Sequence, residues 1–496
     1  MGFIDNLLNA IRNKYLNATG AERDLLTLIK DKDITQAQTL MQNRDTEVLQ
    51  AIQEYNPELH RIMRKADKMR KGQEPYRTEK LPRARQKYIN EVELFFLLGN
   101  PIRWKKVNNE GSDEAFEAYN QFLQDTRFNV SMRKAKRIAG AETECAKLYH
   151  IYRDENFQPQ VKVVVICKSK GYTLRPLFDL YENLIAFGYG YYLKEGTSTI
   201  EHFDIQTPDT IYRCKRGSLN WEVIATPNPT GKINVIYYRQ DKAWGGLNPR
   251  IDREEDIDSK ISDTNNYFAD PIAAATGDVV DFLKGRADKP GKMIRMTGAD
   301  SKFEYINPPT SSETQQREKE DLAQSILFDT FTPEFTPEKM AGLGTLSGEA
   351  IKRAMVLGYI KRENNKEIYD IAVDREKNLI LAIMMNVTHI HLRPDLAALK
   401  IEHEFAEPFN EDVTARWAAI GRAVQDGVMS LEKGVELMGT ADDVTAEIER
   451  IKQAKAEASM NNIIAYIIHS GFISGYQNRY GDNLKPPTNV YHRMTA

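Results

Sequence analysis

The chain has 496 residues, with 68 Lys and Arg against 71 Asp and Glu, a formal net charge of -3 and 28% charged residues. Single hydrophobic cores stop growing near roughly 250 to 300 residues, so this length predicts two to four structural units rather than one simple core. The near balance of charge excludes the basic excess by which sequence-independent DNA binders neutralise phosphate, so a DNA partner would be held loosely or passed through.

The opening stretch MGFIDNLLNAIRNKY puts Phe3, Ile4, Leu7, Leu8 and Ile11 on one stripe of a helix, read as packing against the protein body or a neighbour. It has no long apolar core and no cleavage site, and Asn6 stands where N-myristoylation needs Ser or Thr, so neither secretion nor myristoylation is supported. No apolar run approaches the roughly 20 residues of a membrane span. Residues 1 to about 150 read as helical, with polar interruptions at QEYNPELH, KGQEPYR and NNEGSDE. Between about 160 and 240 the pattern changes to short β-branched and aromatic runs, VKVVVIC, LIAFGYGYYL, TIEHFDI, TIYRC, WEVIA and INVIYY. Turn formers at Lys170-Gly171, Pro227-Asn228-Pro229 and Thr230-Gly231 separate them, which predicts an antiparallel sheet. Gly188 and Gly190 within the second run mark a bulge or close packing. Cys145, Cys167 and Cys214 are far apart and form no CxxC, so they read as buried thiols in a reducing compartment.

From Asp252 to about Ala269 the chain returns to an acid-rich helix; GRADKPGKMIRM and SKFEYIN then suggest a small strand-containing insertion before SSETQQREKEDLAQSILFDTF resumes the helix. The next segment, TPEFTPEKMAGLGTLSG, carries Pro333, Pro337, Gly342, Gly344 and Gly348 and should be a loop. Ser347, with Glu349 in the first turn, is a suitable N-cap for a proline-free helix of about forty residues, or about 60 Å. Gly358 or the Asn364-Asn365 pair would be its kink points. The last segment, from NNIIAYIIHSGF onward, follows no pattern that assigns it a role.

Chemical motifs are few. Gly285 to Lys292 superficially resembles a phosphate-binding loop, but its spacing is too long and Met293 replaces the hydroxyl that would bind magnesium. A nucleotide-driven motor is therefore disfavoured. Asp252, Glu254, Glu255, Asp256, Asp258 and Asp263 at helical spacing point different ways, with Arg253 and Lys260 among them, which suits a solvated or interface face better than a two-metal nuclease. His389, His391 and His403 would converge only if THIHL and KIEHEF paired as a hairpin, with Glu402 or Glu404 nearby; nothing fixes that pairing, and no metal is assigned. No nucleophile elbow, HExxH or Cys/His pattern supports catalysis.

Four stretches carry a family likeness. GTLSGEAIKRAMVLGYIKRENNKEIYDIAVDREKNLI resembles the Ser-Gly-x-Ala-x-Lys opening of the long helix in tailed-bacteriophage portal proteins of the siphophage type. LPRARQKYINEVELFFLLGNPIRWK looks like their early helix ending in Gly-x-Pro-Ile, here Gly99 to Ile102. GKINVIYYRQDKAWGGLNPRIDREEDIDSKISDTNNYFAD resembles the strand leading into their acidic stem helix. FNEDVTARWAAIGRAVQDGVMSLEKGVELMGTADDVTAEIERIKQ is similar to their C-terminal hairpin and Asp-Val-x-x-Glu-Ile-x-Arg-Ile helix. The matches keep the family order from about Tyr55 to Lys452.

The resemblance implies a predominantly helical α+β portal fold assembled as a ring, a dodecamer by family analogy, at one capsid vertex. Its implied parts are a wing (1–251), a first stem helix (252–270), a clip (271–310), a second stem helix (311–333), a tunnel loop (334–347), a long helix with the wing's return (348–453) and a crown or tail (454–496). The implied DNA-contacting loop residues are Thr336, Pro337, Glu338, Lys339, Met340, Ala341, Gly342, Leu343, Gly344 and Thr345, with Lys339 forming a positive belt in a ring. Asp252, Glu255, Asp256 and Asp263 are the implied acidic channel lining, which would let phosphate slide. The implied partners are double-stranded DNA without sequence preference, the terminase large subunit, the capsid or scaffold protein and a head-tail adaptor. No membrane, cofactor or catalysis is implied, and the expected location is the virion after assembly in the host cytoplasm. A scaffold or head-completion protein, or a packaging-motor nuclease or ATPase, is the alternative at this stage.

Overall fold

The computed structural model describes residues 21–67, 78–107, 112–269, 273–282, 294–305, 312–336, 352–409, 413–439 and 446–454. The chain divides into two compact units, Met1–Pro408 and Phe409–Ala496.

In the first unit, α1 (Ala21–Lys30) and α2 (Ile34–Leu40) pack beside the β module and α3 (Asp45–Tyr55) follows. The helix α4 (Arg85–Leu98) is buried through Ile89, Val92, Leu94, Phe96, Leu97 and Leu98 and also buries Gln86, Asn90 and Glu93. Only a stripe through Lys87, Glu91 and Phe95 stays open, so the buried polar members need partners. The helices α5 (Asp113–Asp125) and α6 (Phe128–Glu142) complete the N-terminal helical layer. Ser112 caps α5 by accepting from Ala115 N at 3.1 Å.

Strands start earlier than the sequence pattern predicts. β1 (Arg103–Lys106) lies inside the region expected to be helical, and β2 (Glu144–Arg153) begins before residue 160. β2 pairs antiparallel with β3 (Pro159–Ile166) on one side and β9 (Val235–Arg239) on the other. A second sheet runs in the order β4 (Thr173–Phe178), β5 (Leu184–Glu195), β6 (Ser198–Gln206), β7 (Thr210–Arg216) and β8 (Trp221–Pro227), all antiparallel neighbours. Gly188 and Gly190 of β5 are close-packing positions: a Cβ at Gly188 would lie 2.5 Å from the Phe203 ring and one at Gly190 2.4 Å from Thr173 Oγ1. The three cysteines are buried and free.

The helix α7 (Asn248–Ala269) leads to the hairpin of β10 (Ala273–Phe282) and β11 (Ile294–Tyr305), and α8 (Ser312–Asp329) returns alongside α7. The long helix α9 (Val356–Ile383) crosses the core and ends in a π-helical turn at Met384–Thr388. It runs unbroken through Asn364 and Asn365, where Asn365 donates to Lys361 O at 2.9 Å. Gly358 is likewise not a kink: the Phe96 ring lies on it, and a Cβ there would sit 2.1 Å from Phe96 Cζ. The expected N-cap at Ser347 and the phosphate-loop lookalike at 285–292 lie outside the described residues. A short helix α10 (Arg393–Ala398) precedes β12 (Ile401–Glu404), which pairs antiparallel with β1.

The second unit contains α11 (Val413–Gln425), α12 (Leu431–Met438) and a further helix at 446–454. Gly439, in the left-handed region at φ 63°, closes α12, and Trp417 Nε1 donates to Met438 O at 3.3 Å across the hairpin.

Candidate functional site: the loop roots and the acidic helix

Of the ten loop residues expected to touch DNA, only Thr336 is described; Pro337 to Thr345 lie outside the described residues. The incoming root of the loop is described, and it and the first turn of α9 both sit on α4. On the incoming side, Tyr88 donates its hydroxyl to Pro333 O at 2.8 Å and accepts from Phe335 N at 2.9 Å. Phe335 packs against the rings of Phe95 and Phe96, with centroids 6.2 and 6.3 Å away. On the outgoing side, Phe96 covers Gly358 and meets Tyr359 edge-on at 5.7 Å.

Lys361 joins the two roots. Its ammonium lies 3.2 Å from Thr332 Oγ1 and 3.5 Å from Ile89 O, and it shares Glu93 with Lys136. Lys136 also donates to Gln240 Oε1 at 2.9 Å, where Tyr369 donates at 2.6 Å. Burial alone would raise the Glu93 carboxyl, but Lys136 and Lys361 more than reverse it and hold it below its usual value. Burial pulls Lys361 down to about 8 and Lys136 in the same direction. A second buried ion pair, Lys147 with Glu376, ties α9 to β2, and Tyr238 donates to Glu376 Oε2 at 2.7 Å.

The acidic helix is engaged differently from the sequence expectation. Glu255, Ser259 and Asp263 lie one turn apart on one face of α7 and accept the backbone N–H groups of Arg83, Leu81 and Glu79 at 2.8, 3.1 and 2.8 Å. Four helical residues advance about 6 Å and two extended residues about 6.6 Å, so the extended strap 79–83 matches the helix rung by rung. Glu255 also receives His60 Nδ1 at 2.6 Å. Burial lowers the His60 pKa, but the Glu255 hydrogen bond reverses this and leaves it raised.

On the adjoining face, Asp252 and Asp256 meet Arg61 at 3.1 and 2.9 Å, and Lys65 also reaches Asp256. Burial opposes ionisation of Asp256, yet the Lys65 and Arg61 hydrogen bonds hold its pKa below the usual range. Asp252 moves the other way, raised by burial that Arg61 does not offset. Glu254 accepts Arg85 in a bidentate pair at 2.7 and 3.0 Å, and Asp258 joins Arg83 to Lys319 of α8. The four carboxylates expected to line a channel, Asp252, Glu255, Asp256 and Asp263, are thus each engaged within the chain. Their charges are matched by bases and amides of the same chain.

THIHL and KIEHEF do not pair with each other. His389 and His391 lie in the turns after α9, whereas His403 sits on β12 opposite Trp104 of β1 and binds Asp370 and Asp374 at 2.9 and 3.3 Å. Among the described residues no group of three or more His, Cys, Asp or Glu is placed to hold a metal. Sequence reading missed Tyr88, Glu93, Lys136, Lys361 and the 79–83 strap. Their one sequence signal is charge placed on faces that the surrounding apolar residues mark as buried.

Among the described residues, a mixed α+β frame carries the α7–α8 hairpin and the long helix α9. The chain belongs to the phage portal protein family, SPP1 Gp6-like, whose pattern matches residues 27–460. This is a structural, non-enzymatic family, and membership makes the chain a portal or connector component of a phage particle. A search of curated proteins finds no match. Among solved structures, a chain from "Neck of empty GTA particle computed with C6 symmetry" is similar at 9% identity and a TM-score of 0.39, over 71% of this chain and 89% of that one. Among the described residues no helix is long and apolar enough to cross a membrane.

Proposed function

We propose that copies of this chain close into a ring at one vertex of the capsid and that DNA passes through it during packaging and ejection. In this reading, residues 1–251 form the wing, 252–270 and 311–333 the stem, 271–310 the clip, 334–347 the tunnel loop, 348–453 the long helix and the wing's return, and 454–496 the crown or tail. The clip offers a surface to the terminase and later to the head-tail adaptor, the capsid or scaffold protein meets the outer face, and assembly takes place in the host cytoplasm. Loop residues Thr336 to Thr345 approach DNA without sequence preference, with Lys339 supplying one positive charge per copy. The buried or ion-paired Asp252, Glu255, Asp256 and Asp263 fix the stem to the wing.

The observation that supports this reading is membership of the portal family over residues 27–460, with the segment before the loop and the first turn of α9 both anchored on α4. Particle mass and negative-stain imaging of the purified protein test it. A ring with a central hole near about 680 kDa, twelve copies of the 56.8 kDa chain, is expected. A compact dimer without a hole overturns it.

A further inference from the structure

Two of the three buried cysteines meet across β2 and β3. The antiparallel register of these strands runs to Ala146 opposite Ile166, and one step further along the same ladder sets Cys145 of β2 opposite Cys167, the residue after β3. Cys167 keeps extended backbone, at φ -164° and ψ 170°, so the geometry of the ladder continues to it. Both side chains point to one face of the sheet. Cys145, Tyr149, Val165 and Cys167 belong to one apolar cluster, whereas Ala146 and Ile166 belong to another.

The hydrogen-bond phase of the ladder sets their spacing. Tyr149 N donates to Asn234 O and Gln240 N to Thr143 O, so the odd-numbered residues of β2 direct their backbone groups to β9. The even-numbered ones face β3, which makes Cys145 and Cys167 a non-hydrogen-bonded pair. In such pairs the Cα atoms stand about 4.5 Å apart, and the side chains are closer than in hydrogen-bonded ones. That spacing lies within the roughly 4.4 to 6.8 Å over which a disulfide closes without backbone movement. The carbonyl of Cys167 is taken by Lys170 N and Tyr172 N at 3.2 and 3.1 Å. Each sulfur has only a weak thiol contact, Cys145 Sγ donating to Ala135 O at 3.1 Å and Cys167 Sγ lying 3.3 Å from Ser169 Oγ. Burial pushes both thiols up, so in a reducing compartment both persist as unreactive thiols. The turn Lys168–Lys170 beside Cys167, with Ser169 and Lys170 exposed, is the short way in from solvent.

We infer that Cys145 and Cys167 are an oxidation site, closing to a disulfide across β2 and β3 when the chain meets peroxide outside a reducing compartment. One peroxide oxygen adds to the Cys167 sulfur, giving a sulfenic acid and one water. The Cys145 sulfur then attacks it and expels the hydroxyl as a second water. Two thiols and one peroxide become one disulfide and two waters, the sulfurs losing the two electrons that the peroxide gains. The bond closes the β2–β3 hairpin covalently on its α6 side, and a thiol reductant reopens it. That a particle outside its host supplies the oxidising setting rests on the function proposed above; the bond itself does not.

The test uses the full chain without substitution, so folding of a variant is not at issue. The folded chain is treated with hydrogen peroxide, which catalase then removes. It is next unfolded in urea, alkylated with iodoacetamide, digested and read by mass spectrometry. Alkylated cysteines should fall from three to one per chain, the remaining one being Cys214, and a peptide pair joined through Cys145 and Cys167 should appear. Dithiothreitol before alkylation should restore all three. Alkylation of both Cys145 and Cys167 after peroxide overturns the proposal, as do their arrest as sulfinic acids, a linkage to Cys214 and a linkage only between chains. Because the readout is a bond within the isolated chain, it stands or falls whether or not copies of the chain close into a ring.

Discussion

Replacing Lys361 with methionine probes the junction between the loop roots and the core. The folded chain gives up the Lys361 proton near pH 8, because burial opposes the ammonium and Lys136 adds to that, while Glu93 only partly compensates. The unfolded chain holds the proton to about 10.5, so between these values the unfolded state binds more protons and folding stability rises with pH. That gain is complete above the unfolded value and is lost as the pH falls through 8. The penalty on the buried ammonium is about 3 kcal/mol, and the slope it imposes between pH 8 and 9.5 is about 1 kcal/mol per pH unit. Lys361→Met keeps the methylene stem, removes the proton and leaves Glu93 paired with Lys136. Urea midpoints of both chains, followed by tryptophan fluorescence from pH 7 to 9.5, isolate the effect, because Lys136 and all other groups contribute to both. The wild-type chain should gain on the variant by that slope. Parallel curves would refute the assignment of Lys361 as a buried, partly compensated ammonium.

Glu93→Ala strands two buried ammonium groups and should cost about 3 to 5 kcal/mol, read as a fall in the same urea midpoint. Gly358→Ala drives a methyl into the Phe96 ring and should cost about 1 to 3 kcal/mol, with Phe96→Leu in the same chain recovering part of it; a neutral Gly358→Ala variant sinks the packing argument. The lowered pKa values of Asp256 and Asp258 contribute stability that is present above 3.8 and lost as the pH falls through their folded values. Protection factors of the Leu81 and Arg83 amides, corrected for the intrinsic pH dependence of exchange, should therefore fall on acidification before those in α4 do. Gly342→Pro together with Gly344→Pro should leave particle mass unchanged and block DNA filling, and normal filling would remove the loop from the DNA path.

The strands were legible because they are half-buried: VKVVVIC, LIAFGYGYYL, TIEHFDI, TIYRC, WEVIA and INVIYY fall in β3, β5, β6, β7, β8 and β9, but these belong to two sheets rather than the one expected. β4 escaped notice because Pro176 interrupts its pattern, and it is an edge strand, where a missing N–H is tolerated. β2 was hidden for another reason. Lys147 breaks its apolar run, and the partner that allows a lysine to be buried there, Glu376, comes from the distant α9. The acidic helix illustrates the same limit. Spacing showed that its carboxylates point different ways, but spacing cannot show that the strap at 79–83 and the bases Arg61, Lys65 and Arg83 cover the faces they occupy.

These hidden contacts converge on α4. Ile89 packs in one cluster with Ile251 of α7 and Ile326 of α8, and Arg85 grips Glu254 of α7. Tyr88 holds the incoming root of the loop, Phe96 covers the outgoing one, and Glu93 reaches Lys361. The two-helix hairpin and the loop therefore share one buried helix as their common support. Apolar packing at Ile89 is insensitive to salt, whereas the exposed pairs Arg250 with Asp329 and Arg253 with Glu318 are screened within about 8 Å at physiological ionic strength. Raising salt should consequently loosen the hairpin along its exposed edge while its base stays fixed on α4, so a force applied to the hairpin still reaches the loop roots through that helix.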